Sequence, residues 1–457
     1  MNLAYQRRPD PQSGPQRDEQ TCTIPFRPGR YPANVNRSIP WPRLLAVICL
    51  ILLSQRSPAY SVLTHEQIVD LLWKSQIRPM LLAQYPNATD DQLKEAHAYA
   101  YGGCLIQDIG YYPFGNHFFS DLTHYVRSGD FVTNMLNDAD DIDQYAFALG
   151  ALAHYASDIA GHPAVNLADA IYFPKLRARY GSIVTYADNP TDHIRTEFGF
   201  DVAQVAKDRF TSQAFHDFIG FEVSKPLLEK VFLQTYGLTL DSVFPNLDMA
   251  IGTFRYSVSR LIPQLTRVAI TMKKDEIVKD DPTMTRQRFV YRLKESEYRR
   301  DFGRAYRRPS FGDRLLAFFI AILPKIGPLR ALDVKMPTPY TEDLYMKSVD
   351  DSATQYGLEL SQAASHTLRL DNMDFDTGKP THPGEYSLAD QTYADLVDKL
   401  AANQFAQVAP GLRNNILAFY RDAPTPAFAL KHPEKWTKTQ AAVAQLQTLQ
   451  PTPAASF

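Results

Sequence analysis

The chain has 457 residues, of which 45% are hydrophobic and 12% aromatic, and its 48 basic against 50 acidic side chains leave a net charge of −2. Length and apolar content exclude a wholly disordered or fibrous chain and support one large domain or two. The even charge balance excludes a global pull toward nucleic acid or anionic lipid, and leaves such binding to local patches.

The first 43 residues are rich in Pro and Arg and lack apolar periodicity, so they are expected to form a disordered arm. Leu44 to Leu53, LLAVICLILL, follows Arg37 and Arg43. It is too short to span a bilayer comfortably but has the length of a signal-peptide core. Ser57-Pro58-Ala59 then puts small residues at −3 and −1 of a cut that frees Tyr60. We read residues 1–59 as an arm plus a cleavable export signal, and the protein as secreted or periplasmic. A membrane anchor and a buried helix are the competing readings. Cys22 and Cys49 would leave with the signal, and Cys104 alone can make no internal disulfide.

From Thr64 to about Thr271, apolar residues recur at three- and four-residue spacing over 65–85, 90–107, 117–136, 140–161, 191–218 and 245–271, which predicts helices. Pro86-Asn87, Gly110 with Pro113 and Gly115, Asn137 to Asp141, and Asn189-Pro190 punctuate them, while Thr89-Asp90 and Asp140-Asp141 look like helix N-caps. Few stretches alternate as strands do, so the fold class is all-α. Residues 273–330 hold 15 Lys or Arg against 8 Asp or Glu and end in the apolar run Leu315 to Leu323. That run is read as a buried helix or, with Arg304, Arg307, Arg308 and Arg314 nearby, as an amphipathic element in peripheral contact with a membrane. Residues 331–457 mix helical stretches such as 387–420 with a loop, LDNMDFDTGKPTHPGEY. The resulting division is 60–271 for the main domain and 272–457 for a mainly helical C-terminal region.

Seven of the eleven histidines fall between positions 65 and 193. His154 and Asp158 are i and i+4 in LGALAHYASDIAGHP, on one helical face, with His162 a further turn along it. His193 and Glu197 repeat the spacing in DHIRTEFGFD. A single such pair is usually a surface hydrogen bond or ion pair. Two pairs, the first in an otherwise apolar helix where unpaired charge is costly to bury, point instead to zinc held by imidazole and carboxylate. Three earlier candidates are His65, Asp108 and His124. His124 is preferred to His117 because it lies within a periodic helix, and His97 reads as a satisfied helix histidine.

With these residues in place, Tyr60 to Asp201 resembles the zinc-dependent phospholipases C, which share their helical metal domain with the fungal single-strand nucleases and with glycosylphosphatidylinositol-specific phospholipase D. The resemblance implies three zinc ions. Asp108, His124, His154 and Asp158 would hold one, and Asp158 would bridge to a second held by His65 and by the α-amino group and carbonyl of Tyr60. His162, His193 and Glu197 would hold the third. Tyr60 stands where the family usually has Trp. The four-residue gap from Asp158 to His162 follows the phospholipase D branch. About thirty residues between His162 and His193, with Tyr172, Phe173 and Tyr180, are expected to reshape the substrate mouth.

Such a cluster suits phosphodiester hydrolysis, with the attacking hydroxide expected at the Asp108/Asp158 zinc pair, Asp108 the candidate general base, and Asp192, Arg195 and Asp201 orienting His193 or Glu197. The substrate implied is phospholipid or a related phosphate ester. Alternatives are a single-strand nuclease, for which nucleic acid is the less favoured substrate, and a non-catalytic zinc-stabilised module of the cell envelope.

Overall fold

The computed structural model describes residues 62–207, 221–258, 262–280 and 333–449. The N-terminal arm, the signal run, Tyr60, Cys22 and Cys49, the apolar run 315–323 and its neighbouring arginines lie outside the described residues.

Local sequence explains where the helices begin. α1 (Val62–Leu72) runs through a π-helical turn (Trp73–Ile77) into α2 (Arg78–Gln84). α3 (Asp90–Leu105) starts at Thr89, whose side chain accepts from Gln92 N while the Gln92 side chain accepts from Thr89 N. This reciprocal cap satisfies two orphan donors at once. A 3-10 turn, Ile106–Tyr111, carries Asp108 out of the end of α3. α4 (His117–Tyr125) and α5 (Ser128–Asp138) follow, then α6 (Ile142–Tyr172), capped by the Asp141 side chain, α7 (Pro174–Tyr180) and α8 (Pro190–Ala206), capped by Asn189. α9 (Lys225–Tyr236), α10 (Leu247–Tyr256), α11 (Ile262–Met272) and α12 (Lys274–Asp280) complete the first part. The C-terminal part holds α13 (Pro339–Ala364), α14 (Ser387–Ala402), α15 (Pro410–Tyr420), α16 (Ala427–Lys431) and α17 (Pro433–Thr448). Between α13 and α14, β1 (Met373–Asp374) pairs antiparallel with β2 (Lys379–Pro380), the only strands among the described residues. The fold is all-α, as the periodicity predicts.

Several predicted stretches depart from their bounds. The stretch 117–136 is two helices, because Arg127 takes the left-handed conformation (φ 52°) and the last carbonyls of α4 are claimed by the hairpin: Phe375 N donates to His124 O at 3.3 Å and Thr381 Oγ1 to Tyr125 O at 3.2 Å. The stretch 387–420 is likewise two, α14 and α15. α6 runs eleven residues past the predicted end at 161 and contains Pro163. Pro163 has no N–H for the carbonyl of Ile159, four residues back. Gly378 packs on that carbonyl, where a Cβ would lie 2.5 Å from the oxygen.

α6 is the central helix, with α3 along one side and α13 along another. The α3 crossing is close because it is made of glycine: a Cβ on Gly150 would sit 2.0 Å from Ala100 O, and one on Gly103 would sit 1.9 Å from Phe147 O. Where α13 packs on α6, the buried Tyr356 donates its hydroxyl to Leu149 O at 2.8 Å. One apolar core takes Ile68 from α1, Leu149 from α6, Tyr356 from α13, Phe375 from the hairpin and Leu396 from α14. Among the described residues no helix is long and apolar enough to cross a membrane. Cys104 is a buried free thiol.

Candidate metal centre

Five elements send ligand-type side chains to one place inside this core. α1 supplies His65, the 3-10 turn Asp108, α4 His124, α6 His154, Asp158 and His162, and α8 His193 and Glu197. All eight are buried. Their ligand atoms fall into three groups, each spanning no more than 4.8 Å: His65 with Asp108 and His154; His124 with His154 and Asp158; and His162 with His193 and Glu197. Tyr60, the ninth residue expected, lies outside the described residues.

Asp158 sits at the hinge of the arrangement. Its Oδ1 is 3.5 Å from His65 Nε2, and its Oδ2 is 3.4 Å from His124 Nε2, 3.1 Å from His154 Nε2 and 3.7 Å from His162 Nε2. Asp108 Oδ1 is 3.3 Å from His124 Nε2 and 4.0 Å from His154 Nε2. In the third group, His193 Nε2 and Glu197 Oε1 are 2.7 Å apart.

The outer nitrogens of the rings show how they are aimed. His124 Nδ1 donates to Ser120 O at 2.7 Å and His154 Nδ1 to Cys104 O at 2.9 Å. His193 Nδ1 bonds Asp169 Oδ2 at 2.6 Å. His65 Nδ1 bonds Ser157 Oγ at 2.8 Å, and that hydroxyl spends its own proton on His154 O, so it is free to accept. With Nδ1 carrying the proton, each ring in its neutral form would turn an Nε2 lone pair inward.

A metal fits this set. Both oxygens of Asp158, Oδ1 of Asp108, Nε2 of His162 and of His193, and Oε1 of Glu197 are buried and make no hydrogen bond. Buried polar atoms are rarely left so, and an ion at their common focus satisfies them. Imidazole nitrogen and carboxylate oxygen are zinc's usual donors outside thiolate sites.

The electrostatics agree. Burial works to protonate Asp158, yet the neighbouring His154, His124 and His162 hold its carboxyl well below the usual range. Burial pushes Asp108 up, against the pull of His154 and His124. Burial also pushes Glu197 well up, despite His193 beside it. A cation at the focus would favour the ionised form of all three.

Several neighbours lie elsewhere than expected. Asp192 pairs with Arg195 at 2.7 Å, and Arg195 also pairs with Asp333, while Asp201 accepts from Leu63 N and Thr64 Oγ1 and so fixes the start of α1 next to His65. The carboxylate that meets His193 is Asp169. It lies seven residues after His162 on the same face of α6, a spacing that could have found it. Of the insertion's aromatics, Tyr172 bonds Thr341, Phe173 lies under Arg195 at 5.2 Å, and Tyr180 is partly exposed. Tyr186 is the one that reaches the cluster, edge-on to His193 at 5.7 Å between ring centres. His97 stacks on Trp73 and bonds Asp70 at 3.0 Å, a satisfied histidine as predicted. His117, whose ring lies 5.5 Å from that of Tyr111, belongs to none of the three groups.

Residues 64–246 match the family model described as zinc dependent phospholipase C. This stretch is a zinc-dependent phospholipase C domain. All eight described candidate ligands fall within the match, and α13 to α17 lie beyond it. No curated protein and no solved structure matches the chain. The family is one of hydrolases of the phospholipase C type, and zinc is the metal it implies for the buried His and carboxylate groups.

Proposed function

We propose that this protein is an exported phosphodiesterase that holds three zinc ions and hydrolyses phospholipid. The observation that carries the reading is the convergence of eight buried His, Asp and Glu side chains inside the stretch that matches the family, with the unsatisfied atoms of Asp108, Asp158, His162, His193 and Glu197 among them. His124, His154, Asp108 and Asp158 would hold one ion. His65 and the terminal Tyr60, with Asp158 shared, would hold the second, and His162, His193 and Glu197 the third.

When bound, zinc makes water more acidic and offsets the charge of a phosphoryl group. The protein's own part is to position and to take a proton. Asp108 Oδ1, which makes no hydrogen bond and whose proton affinity burial raises, is the group to accept a proton from the attacking water. Asp158, held ionised, keeps the two neighbouring groups in register. The Nδ1 contacts fix the rings before substrate arrives, so little reorganisation remains at the moment of reaction.

Export and a start at Tyr60 rest on the apolar run 44–53 and the small residues ahead of Tyr60. A chain cut there carries a free α-amino group two residues before α1 begins.

The test is hydrolysis of phosphatidylcholine vesicles by the purified full chain, followed as release of diacylglycerol, with single-stranded DNA digestion measured alongside. Diacylglycerol release that a chelator stops and zinc restores is expected. DNA digestion without lipid cleavage would replace the lipid reading by the nuclease one. Asp108→Ala and His154→Ala should each lower lipid hydrolysis at least ~100-fold, the scale of a positioned proton acceptor or a metal ligand. Full activity in both would mean that the module is not catalytic.

A further inference from the structure

Every candidate ligand described above lies in the family-matched stretch, yet one histidine is served from outside it. Four of the five rings commit Nδ1 to an acceptor within that stretch. The fifth, His162, has Nδ1 3.4 Å from Asp376 Oδ1, within ion-pair reach, and makes no hydrogen bond with that nitrogen among the described residues. Asp376 comes from the hairpin turn between β1 and β2, more than two hundred residues along the chain.

The turn is built to hold that carboxylate. Asp376 is buried, and its other oxygen, Oδ2, accepts the hydroxyls of Tyr125 at 2.9 Å and of Tyr386. Its backbone carbonyl accepts from Asn166 Nδ2 at 2.8 Å, one turn beyond His162 on α6, and its N–H donates to Asp374 Oδ1 at 2.9 Å. Phe375, next to it, packs edge-on against His124 at 5.2 Å and donates its N–H to His124 O. Gly378, at φ 67°, lets the turn sit on the Ile159 carbonyl that Pro163 leaves open.

From this geometry we propose that Asp376 is a positioning residue of the third metal group. It accepts the Nδ1 proton of His162 and so presents Nε2 to the ion shared with His193 and Glu197. The C-terminal region thereby completes the metal centre of a domain that it does not belong to by sequence. The inference rests on the reading that the site binds zinc.

The experiment compares zinc binding by the full-length wild type and Asp376→Asn, using zinc alone in competition with a chromophoric chelator, with metal content by mass spectrometry and the absorption spectrum of the cobalt(II)-substituted protein. Expected is a 10- to 100-fold weaker affinity at one site, the scale of losing such a partner. The remaining sites should be unchanged, the cobalt spectrum altered, and the unfolding midpoint of the metal-free protein close to wild type. Asp376→Glu should recover part of the affinity. Wild-type affinity and spectrum in Asp376→Asn would overturn the proposal. So would an affinity loss that Asp376→Glu does not recover. If Asp376→Asn lowers the metal-free midpoint strongly, Tyr386→Phe decides, since it frees one side of the carboxylate and leaves it in place; a several-fold affinity loss is expected, and none would overturn the proposal. A wild type that binds no zinc at all would instead defeat the functional reading beneath it.

Discussion

Glu359 on α13 shows what a buried carboxyl does when only one of its oxygens has a partner and no ion pair reaches it among the described residues. It is only 4% exposed, Oε1 accepts from Gln355 at 2.7 Å, Oε2 makes no hydrogen bond, and burial pushes its pKa up to about 7. The folded chain therefore binds this proton more tightly than the unfolded chain, whose value is near 4.5. The associated stability is fully present below about pH 4.5 and is lost as pH rises through about 7, amounting to about 3 kcal/mol at most. Glu359→Gln keeps the acceptor and removes the charge. Urea unfolding at pH 8 should find the variant about 2 kcal/mol more stable than wild type, with little difference at pH 5. An equal midpoint at pH 8 would refute this. In the metal centre the sequence shows its ligands because i,i+4 pairs share a helix face, which is why His154 with Asp158 and His193 with Glu197 stand out unaided. The residues that aim them were less legible. Backbone acceptors such as Ser120 O and Cys104 O leave no side-chain signal, and Asp376 reaches His162 only through a tertiary contact that no local spacing encodes.

At the scale of elements, caps and breaks were readable wherever the chain itself sets them, as at Thr89, Asp141 and Asn189. They were not where a distant segment sets them. Periodicity alone runs 117–136 into one helix, and it is the hairpin's donors on His124 O and Tyr125 O that end α4 at Tyr125. The predicted stretch stops at 161, and α6 runs on through Pro163 because the hydrogen bond that proline loses falls where Gly378 covers the free carbonyl. This contact makes Gly378 a sharp test of the hairpin's role. Alanine there meets a backbone oxygen at 2.5 Å and takes a left-handed conformation that costs about 1–2 kcal/mol by itself. Adding the displacement of packed backbone, Gly378→Ala should lose about 3 kcal/mol of stability. It should also weaken zinc at the His162 site, because the displaced turn carries Asp376. Calorimetry with zinc titration on the same samples measures both. Destabilisation with wild-type zinc affinity would show that the hairpin braces α6 without serving the metal.

For the molecule as a whole, the division into a main domain over 60–271 and a C-terminal region over 272–457 follows the change in composition along the chain, whereas packing follows α6. The helix is covered along one side by α13, whose Tyr345 hydroxyl meets Thr64 beside His65 at 2.6 Å and whose Tyr356 fills the shared core. Elements that share one core unfold together, and a ligand bound only by the folded chain raises the midpoint of that single transition. Zinc at a hundredfold excess over its dissociation constant adds about 2.7 kcal/mol per site, so chelation should lower the midpoint of a unit this large by roughly 3–4 °C for each tight site. Among the described residues, Trp73 belongs to the main domain and Trp436 to the C-terminal region. Fluorescence of variants that keep one or the other, read beside far-ultraviolet circular dichroism, should therefore give coincident midpoints that shift together when zinc is removed. A C-terminal probe that melts earlier, and is indifferent to zinc, would mean that α13 and the hairpin are a separable cover. A common shift follows if they are part of the metal centre.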